Sequence, residues 1–155
     1  MKKTIQILVG IIAFAFLIVI IKKNFFAVEN NYEKGIEFIN KKEFEKSIQY
    51  LKIADFQKYP EAYFALGEAY LRTDQYDKAL NNFIKTYELN VLNSNDDNYS
   101  YLVNMIGVLY LYKDVKKSRF FLEKAHKLGN LNSKNNLQIL DSLEQVQKNA
   151  TDINQ

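Results

Sequence analysis

A short run in the middle of the chain constrains the fold more than any other part of the sequence. Its aromatic, leucine and glycine residues recur at intervals of three and four, and a small and an aromatic residue follow. These are Tyr63, Leu66, Gly67 and Tyr70, then Ala79 and Phe83. Intervals of three and four place side chains on one side of an α-helix. Since Gly67 has no side chain, we expect a second helix carrying Ala79 to approach the first one closely.

Weaker copies of this run lie on either side of it. Gly35 and Gly107 take the position of Gly67 in the copies before and after it. The corresponding second helices carry Ser47, Leu51 and Ala54 in the first copy, and Ser118, Leu122 and Ala125 in the third, where the turn is one residue shorter. The interval from Gly67 to Gly107 is the longer of the two, and a polar tract without helical period, residues 90–98, accounts for the difference. The sequence therefore predicts three helix pairs.

The three runs together resemble the tetratricopeptide repeat, a helix-turn-helix unit with an aromatic residue, Leu-Gly, Tyr, Ala and Phe at fixed offsets. Residues 61–90 match this pattern well, and the flanking units match it in part. The resemblance implies an all-α solenoid of about three helix pairs. A stretch from Ser133 to about Gln147 has Leu137, Leu140 and Leu143 on one face, and we expect it to form a capping helix.

Apolar periodicity outside the resemblance also predicts an all-α fold. Apolar residues recur at helical spacing along the chain, and no segment alternates as a half-buried strand does. Asp74 is expected to cap the helix that begins near Asp77, and Gly129 is expected to follow the end of another helix.

An 18-residue apolar run, Thr4 to Ile21, is the second organising feature. Two lysines precede it and Lys22 and Lys23 follow it. As a helix it would be about 27 Å long, close to the roughly 30 Å hydrocarbon core of a bilayer. A cleaved signal peptide is the alternative, but its apolar region is usually shorter and ends in small residues. We therefore predict a single-pass transmembrane anchor in residues 1–23.

The net charge of the chain reflects this anchor. The chain has 21 basic and 18 acidic residues, but four of the lysines flank the apolar run, which leaves 17 basic residues against 18 acidic ones. A nucleic-acid-binding protein needs a basic face with many phosphate contacts. The composition therefore predicts no nucleic-acid partner.

The rest of the chain is expected to form one helical repeat domain, residues 24–148, followed by a disordered tail, residues 149–155. The abundance of Lys, Asn and Ile indicates a bacterial source, and the chain has no cysteine. Short charged amino termini usually stay in the cytoplasm, so we expect the domain on the periplasmic side of the bacterial inner membrane. Lysines on both sides of the run make the charge difference small.

The sequence contains few residues that are typical of a catalytic or metal-binding site. His126 is the single histidine, and no set of residues matches a catalytic triad, a metal site or a phosphate-binding loop. We therefore predict no enzymatic activity, no catalytic or metal-binding residue and no cofactor.

The resemblance to the tetratricopeptide repeat implies a binding surface. In this family the first helix of each pair lines a concave groove. Carried over by position, the groove residues are Tyr32, Phe64, Glu68, Arg72, Tyr101, Asn104 and Tyr112. The family's carboxylate clamp is absent, since Tyr32, Phe64 and Asn104 stand where its lysine and equivalent residues would lie. We expect an apolar groove rimmed by acidic residues that binds an extended or helical segment, with Phe64 and Tyr101 at its centre.

These expectations combine into one functional hypothesis. The chain is expected to be a membrane-anchored protein interaction module, an adaptor, chaperone or assembly factor of an envelope process, whose partner is another protein or peptide segment. Two alternatives stay open. In one, the repeats stack on their own copies as a structural subunit, and in the other, the groove holds an unrecognised enzyme site.

Overall fold

The computed structural model describes residues 2–56, 59–94 and 97–153, apart from the side chains of residues 2–5, 24–29, 56, 97, 151 and 153. The helices are α1 (Lys2–Asn40), α2 (Phe44–Phe56), α3 (Ala62–Arg72), α4 (Tyr76–Glu88), α5 (Asp97–Tyr110), α6 (Val115–Lys127) and α7 (Ser133–Ile153). The described residues contain no strand, so the predicted all-α class is confirmed for them.

Successive helices pack side by side and run in opposite directions. In the middle pair, the Lys85 Nζ atom lies 4.6 Å from the ring centre of Tyr63, and the Lys78 Nζ atom lies 5.4 Å from that of Tyr70. The start of α3 therefore faces the end of α4. The pairs α1/α2 and α5/α6 are packed in the same way, and α2 contacts α3, α4 contacts α5 and α6 contacts α7.

A glycine lets the two helices of each pair approach closely. A Cβ atom on Gly67 would overlap the ring of Phe83. A Cβ atom on Gly35 would lie 2.5 Å from Leu51, and one on Gly107 would lie 2.7 Å from Leu122. In each pair a large side chain of the second helix thus fills the space that the glycine leaves. The sequence pattern predicts Ala79 as the partner of Gly67, but the ring of Phe83, one turn later, makes the contact.

A small residue lies one turn before each of these large side chains. Ser47, Ala79 and Ser118 hold this position in α2, α4 and α6, and all three are fully buried. The Ser118 hydroxyl donates a 2.8 Å hydrogen bond to the carbonyl oxygen of Gly107. The Ser47 hydroxyl is buried without a partner among the described residues. The small residues therefore allow the helices to pack closely. The Ser118 hydroxyl has a hydrogen-bond partner, and the Ser47 hydroxyl has none among the described residues.

One apolar cluster runs through the three pairs. It joins Leu51 and Ala54 of α2, the buried faces of α3 and α4, and Leu102, Val103 and Ile106 of α5. A second cluster continues it, where Leu122 of α6 packs with Leu111 and with Leu140 of α7. Since each pair buries its apolar face against the next pair, the core extends along the array.

The turns between helices show one error in the sequence analysis. Asp74 does not cap α4, because its backbone is left-handed, with φ 57°, and Gln75 holds the cap position without a side-chain bond. The Asp74 carboxylate instead accepts a 2.6 Å hydrogen bond from the Tyr76 hydroxyl. Gly129 does follow the end of α6, with φ 82°.

Helix α1 is continuous from the apolar run into the first pair. Its segment Gln6–Lys23 has a mean hydropathy of 2.2, none of it is buried, and it is long and apolar enough to span a membrane. The backbone has no break at residue 24, where the sequence analysis places a domain boundary. At 1.5 Å per residue, the 39-residue helix is about 58 Å long.

Helix α7 closes the array and is longer than expected. It covers Leu122 with Leu140, and Arg119 of α6 donates 2.6 Å hydrogen bonds to its Asp141 and Glu144. It continues to Ile153, so the tail expected to be disordered from residue 149 is helical as far as the structure describes it. No glycine or proline interrupts this stretch, which explains the continuation. Residues 154–155 of the expected tail lie outside the described residues.

Replacing Gly67 with alanine tests the close approach of α3 and α4. We expect Gly67→Ala to lower the free energy of unfolding by about 1–3 kcal/mol, because the new methyl group overlaps the Phe83 ring. Chemical denaturation of the full chain in detergent, followed by circular dichroism, measures this change. An unchanged midpoint for Gly67→Ala would contradict the packing.

The two buried serines form a matched pair for a second test. Ser118→Ala should lower the free energy of unfolding by about 0.5–1.5 kcal/mol, since it removes a buried hydrogen bond. Ser47→Ala should leave the free energy unchanged or raise it, since it removes a buried hydroxyl without a partner among the described residues. The same denaturation experiment compares them, and equal losses would refute the distinction.

Candidate functional site

Four of the seven expected groove residues lie together where α3 faces α5. The Phe64 ring packs edge-on against the Tyr101 ring, with 6.4 Å between ring centres, and lies 6.0 Å from the Phe83 ring behind it. Glu68 and Arg72 follow Phe64 at one-turn intervals along α3. We call Phe64, Glu68, Arg72 and Tyr101 the α3/α5 cluster. It is built from two successive helix pairs, so its geometry depends on how the pairs stack.

The hydroxyl of Tyr101 is fixed by Glu68. Burial raises the pKa of Tyr101 most, and the charge of Glu68 and the hydrogen bond between the two side chains raise it further, while Arg72 lowers it. The phenol therefore keeps its proton beside the Glu68 carboxylate. The two side chains meet where α3 faces α5, at the junction of two pairs.

The second carboxylate oxygen of Glu68 is unsatisfied. Glu68 Oε1 is buried and has no hydrogen-bond partner among the described residues. A buried acceptor without a donor costs roughly 1–3 kcal/mol or more when it is charged. A donor from outside the chain would remove this cost, so the oxygen is a candidate contact for a bound partner.

A depression of about 440 Å³ opens beside this carboxylate. It is lined by Ile39, Asn40, Lys42, Phe44, Glu68 and Arg72. Its apolar wall comes from the end of α1 and the start of α2, and its polar wall comes from α3. Neither Arg72 nor Lys42 forms an ion pair within the described part of the chain. The rim is thus more basic than the acidic rim that the sequence analysis expects.

Three residues of this depression were missed in the sequence analysis. Asn40 ends α1, Lys42 lies in the turn and Phe44 begins α2, whereas the repeat pattern predicts groove residues along the first helix of each pair. Lys42 has a left-handed backbone conformation in this turn, with φ 60°. A pair of lysines does not by itself predict such a turn, so no signal in the sequence pointed to these three residues.

Tyr32 lies apart, where α1 meets the connection between α2 and α3. Its ring centre is 5.0 Å from that of Tyr59. Burial raises the pKa of Tyr32, and the neighbouring Tyr59 and Glu61 raise it further. Tyr32 therefore packs against the connection between α2 and α3 and is only partly exposed.

Two of the expected groove residues lie outside the α3/α5 cluster. Asn104 is only 4% exposed, and its side-chain oxygen accepts a 2.9 Å hydrogen bond from the Asn136 amide of α7. The last helix thus covers the position that the repeat pattern assigns to the groove. Tyr112 is 82% exposed, but it lies in the turn after α5 ends at Tyr110. It therefore does not belong to the helix face.

The described residues contain no group of three or more His, Cys, Asp or Glu side chains placed to hold a metal ion. His126 is exposed near the end of α6, far along the array from the α3/α5 cluster. The geometry of the cluster favours binding through hydrogen bonds and ring contacts.

Because the Tyr101 side chain is partly buried, we expect the free energy of unfolding to change with pH in the alkaline range. An unfolded tyrosine ionises near pH 10.0, whereas folded Tyr101 holds its proton to higher pH, so the unfolded state binds fewer protons above that value. We expect the free energy of unfolding to fall as the pH rises above 10.0, and Tyr101→Phe to reduce this fall. Denaturation at several pH values measures the slope. Tyr112→Phe is the control at an exposed ring, and identical slopes for all three proteins would contradict the assignment.

Comparison of the chain with known proteins assigns no family. No protein-family model matches the sequence. No curated protein matches it at a significant level.

Proposed function

We propose that this protein is a membrane-anchored interaction module of the tetratricopeptide type, which holds a segment of another protein against the side formed by α1, α3 and α5. The repeat assignment is supported by one contact found in every pair. Gly35 meets Leu51 and Gly67 meets Phe83, and the two contacts have the same separation along the chain. Gly107 meets Leu122 at a separation one residue shorter, because α5 ends three residues after its glycine, whereas α1 and α3 end five residues after theirs.

The α3/α5 cluster is the observation that carries the proposed binding function. Its Glu68 side chain lines the depression at the end of α1, and the Glu68 Oε1 atom is buried without a donor among the described residues. In this proposal a small rotation of the Glu68 side chain brings this oxygen to a peptide N–H or a side-chain amide of a partner, which supplies the donor. The Tyr101 ring beside it limits the other conformations that Glu68 can take. A rigid acceptor of this kind reduces the entropy lost on binding.

The remaining walls of the depression suit an extended peptide. Ile39 and Phe44 provide an apolar wall for a side chain, and Arg72 provides donors for a carbonyl or carboxylate oxygen. A peptide backbone presents both N–H donors and C=O acceptors. In this proposal Glu68 accepts from the partner and Arg72 donates to it, while Phe64 and Tyr101 form the floor beside them.

The anchor raises the effective concentration of this surface near other membrane proteins. In this proposal Gln6–Lys23 spans the bacterial inner membrane and the helix pairs lie in the periplasm, as expected for a short charged amino terminus. Confinement to one membrane makes a modest affinity sufficient for a stable encounter. The protein would thus act as an adaptor, chaperone or assembly factor of an envelope process and not as an enzyme.

Photocrosslinking tests the binding surface. A photoreactive phenylalanine replaces Asn40, which is exposed at the depression, and in a second protein it replaces Glu123, which is exposed on α6. We expect a discrete adduct in cells from position 40 and none from position 123. Mass spectrometry then identifies the captured segment. Equal adducts from both positions would refute the proposed surface.

A substitution at Glu68 links the adduct to the cluster. Glu68→Gln keeps the size of the side chain but replaces one acceptor oxygen with an amide NH₂ group, so the adduct from position 40 should weaken. Glu123→Gln is the matched control on α6 and should not change it. Circular dichroism of each variant verifies that the helices are retained. An adduct that is unaffected by Glu68→Gln would show that the unsatisfied oxygen plays no part.

A further inference from the structure

The antiparallel packing gathers alternate connections at the same end of the array. The Tyr87 and Tyr99 rings stack 6.2 Å apart where α4 ends and α5 begins. At the other end, Lys113 and Asp77 form an ion pair where α5 ends and α4 begins. The connections α2–α3, α4–α5 and α6–α7 therefore share one end, and the connections α1–α2, α3–α4 and α5–α6 share the other.

Helix α1 enters the array at the end that carries α2–α3, α4–α5 and α6–α7. The contact between Tyr32 and Tyr59 shows that the α2–α3 connection lies beside Tyr32 of α1. Tyr32 follows Lys23, the end of the apolar segment, by nine residues, which is about 14 Å along a helix. We call this end the anchor-side end, because it faces the segment Gln6–Lys23.

The exposed side chains of the two ends differ. Three leucines are exposed at the anchor-side end, namely Leu89 at 57%, Leu128 at 36% and Leu131 at 91%. The opposite end carries charged turn residues and two exposed rings, Tyr76 and Tyr112, but no exposed leucine among the described residues. Single exposed apolar residues are common on protein surfaces. Here, however, they collect in the connections nearest to the apolar segment.

Basic residues surround the most exposed of these leucines. Lys127 ends α6 and Lys134 begins α7, on either side of Leu131, and both are exposed. Neither of them forms an ion pair within the described residues. Leu131 and Lys134 also line a depression of about 220 Å³ with His126, Gly129 and Asn130. An apolar tip between unpaired lysines is typical of a surface that meets anionic lipid headgroups.

We propose that the anchor-side end docks against the surface of the bilayer that holds α1, with Leu131 at the boundary of headgroups and acyl chains and with Lys127 and Lys134 at anionic headgroups. The headgroup layer adds roughly 6 Å beyond the hydrocarbon core. If α1 tilts by about 20°, the average for transmembrane helices, one side of the array moves toward the bilayer and closes the remaining distance to the headgroups. This inference rests on the anchor in the proposed function, but it does not depend on a partner in the depression.

Depth-dependent fluorescence quenching tests the docking. The chain has no cysteine, so single substitutions Leu131→Cys, Tyr112→Cys and Ile12→Cys each give one labelling site on the full chain. Each protein is labelled with a small fluorophore and reconstituted in vesicles of phosphatidylcholine and phosphatidylglycerol that contain spin-labelled lipid. Positions 131 and 112 are a matched pair, because both side chains are highly exposed in connections at opposite ends.

We expect spin labels near the headgroups to remove more than half of the fluorescence at position 131 and little of it at position 112. Equal quenching at positions 131 and 112 would overturn the docking. If position 12 is quenched by spin labels on the acyl chains while position 131 is not quenched at all, the anchor stands and the docking alone is wrong. If position 12 is also unquenched, the anchor and the docking both fail.

Charge reversal separates the two components of the docking. Lys127→Glu together with Lys134→Glu should reduce the quenching at position 131 in vesicles with phosphatidylglycerol. In vesicles of phosphatidylcholine alone the same change should have little effect, since there are no anionic headgroups to repel the new carboxylates. Loss of quenching in both kinds of vesicle, or in neither, would overturn the assigned role of the two lysines.

Discussion

The contact between a glycine of one helix and a large side chain of the next is the interaction on which the rest of the structure depends. Where Gly67 receives the Phe83 ring, α3 and α4 come close enough to bury one side of each helix. The other apolar surfaces of the pair are then free to pack against α2 and α5. Without this approach, a helix pair of this length would have little buried surface, since isolated helices of such length are marginally stable in water.

The stacking of pairs then creates the candidate site. No single pair contains the α3/α5 cluster, because Glu68 and Tyr101 come from different pairs and meet only when the pairs stack. The site is therefore formed by the same packing that forms the core. The same packing buries one oxygen of the Glu68 carboxylate without a donor among the described residues.

The sequence predicted the parts of the fold that depend on local spacing. The intervals around Gly35, Gly67 and Gly107 were sufficient to predict the helix pairs, because a glycine on an apolar helix face has few other uses. Spacing could not predict contacts between distant helices. Asn104 is on the expected face of α5, but the amide of Asn136, from a helix much later in the chain, covers it. Likewise, the turn at Lys42 contributes to the depression through a left-handed backbone that composition does not reveal.

The unbroken α1 helix has a mechanical consequence. The helix is continuous from Gln6–Lys23 to the residues that pack on α2, so a rotation of the apolar segment also rotates the first pair. A helix that is long for its bilayer responds to a thinner bilayer by tilting. If Gln6–Lys23 spans a membrane, as we propose, the same rotation passes to the array, and the thickness of the lipid bilayer changes the direction in which the depression opens.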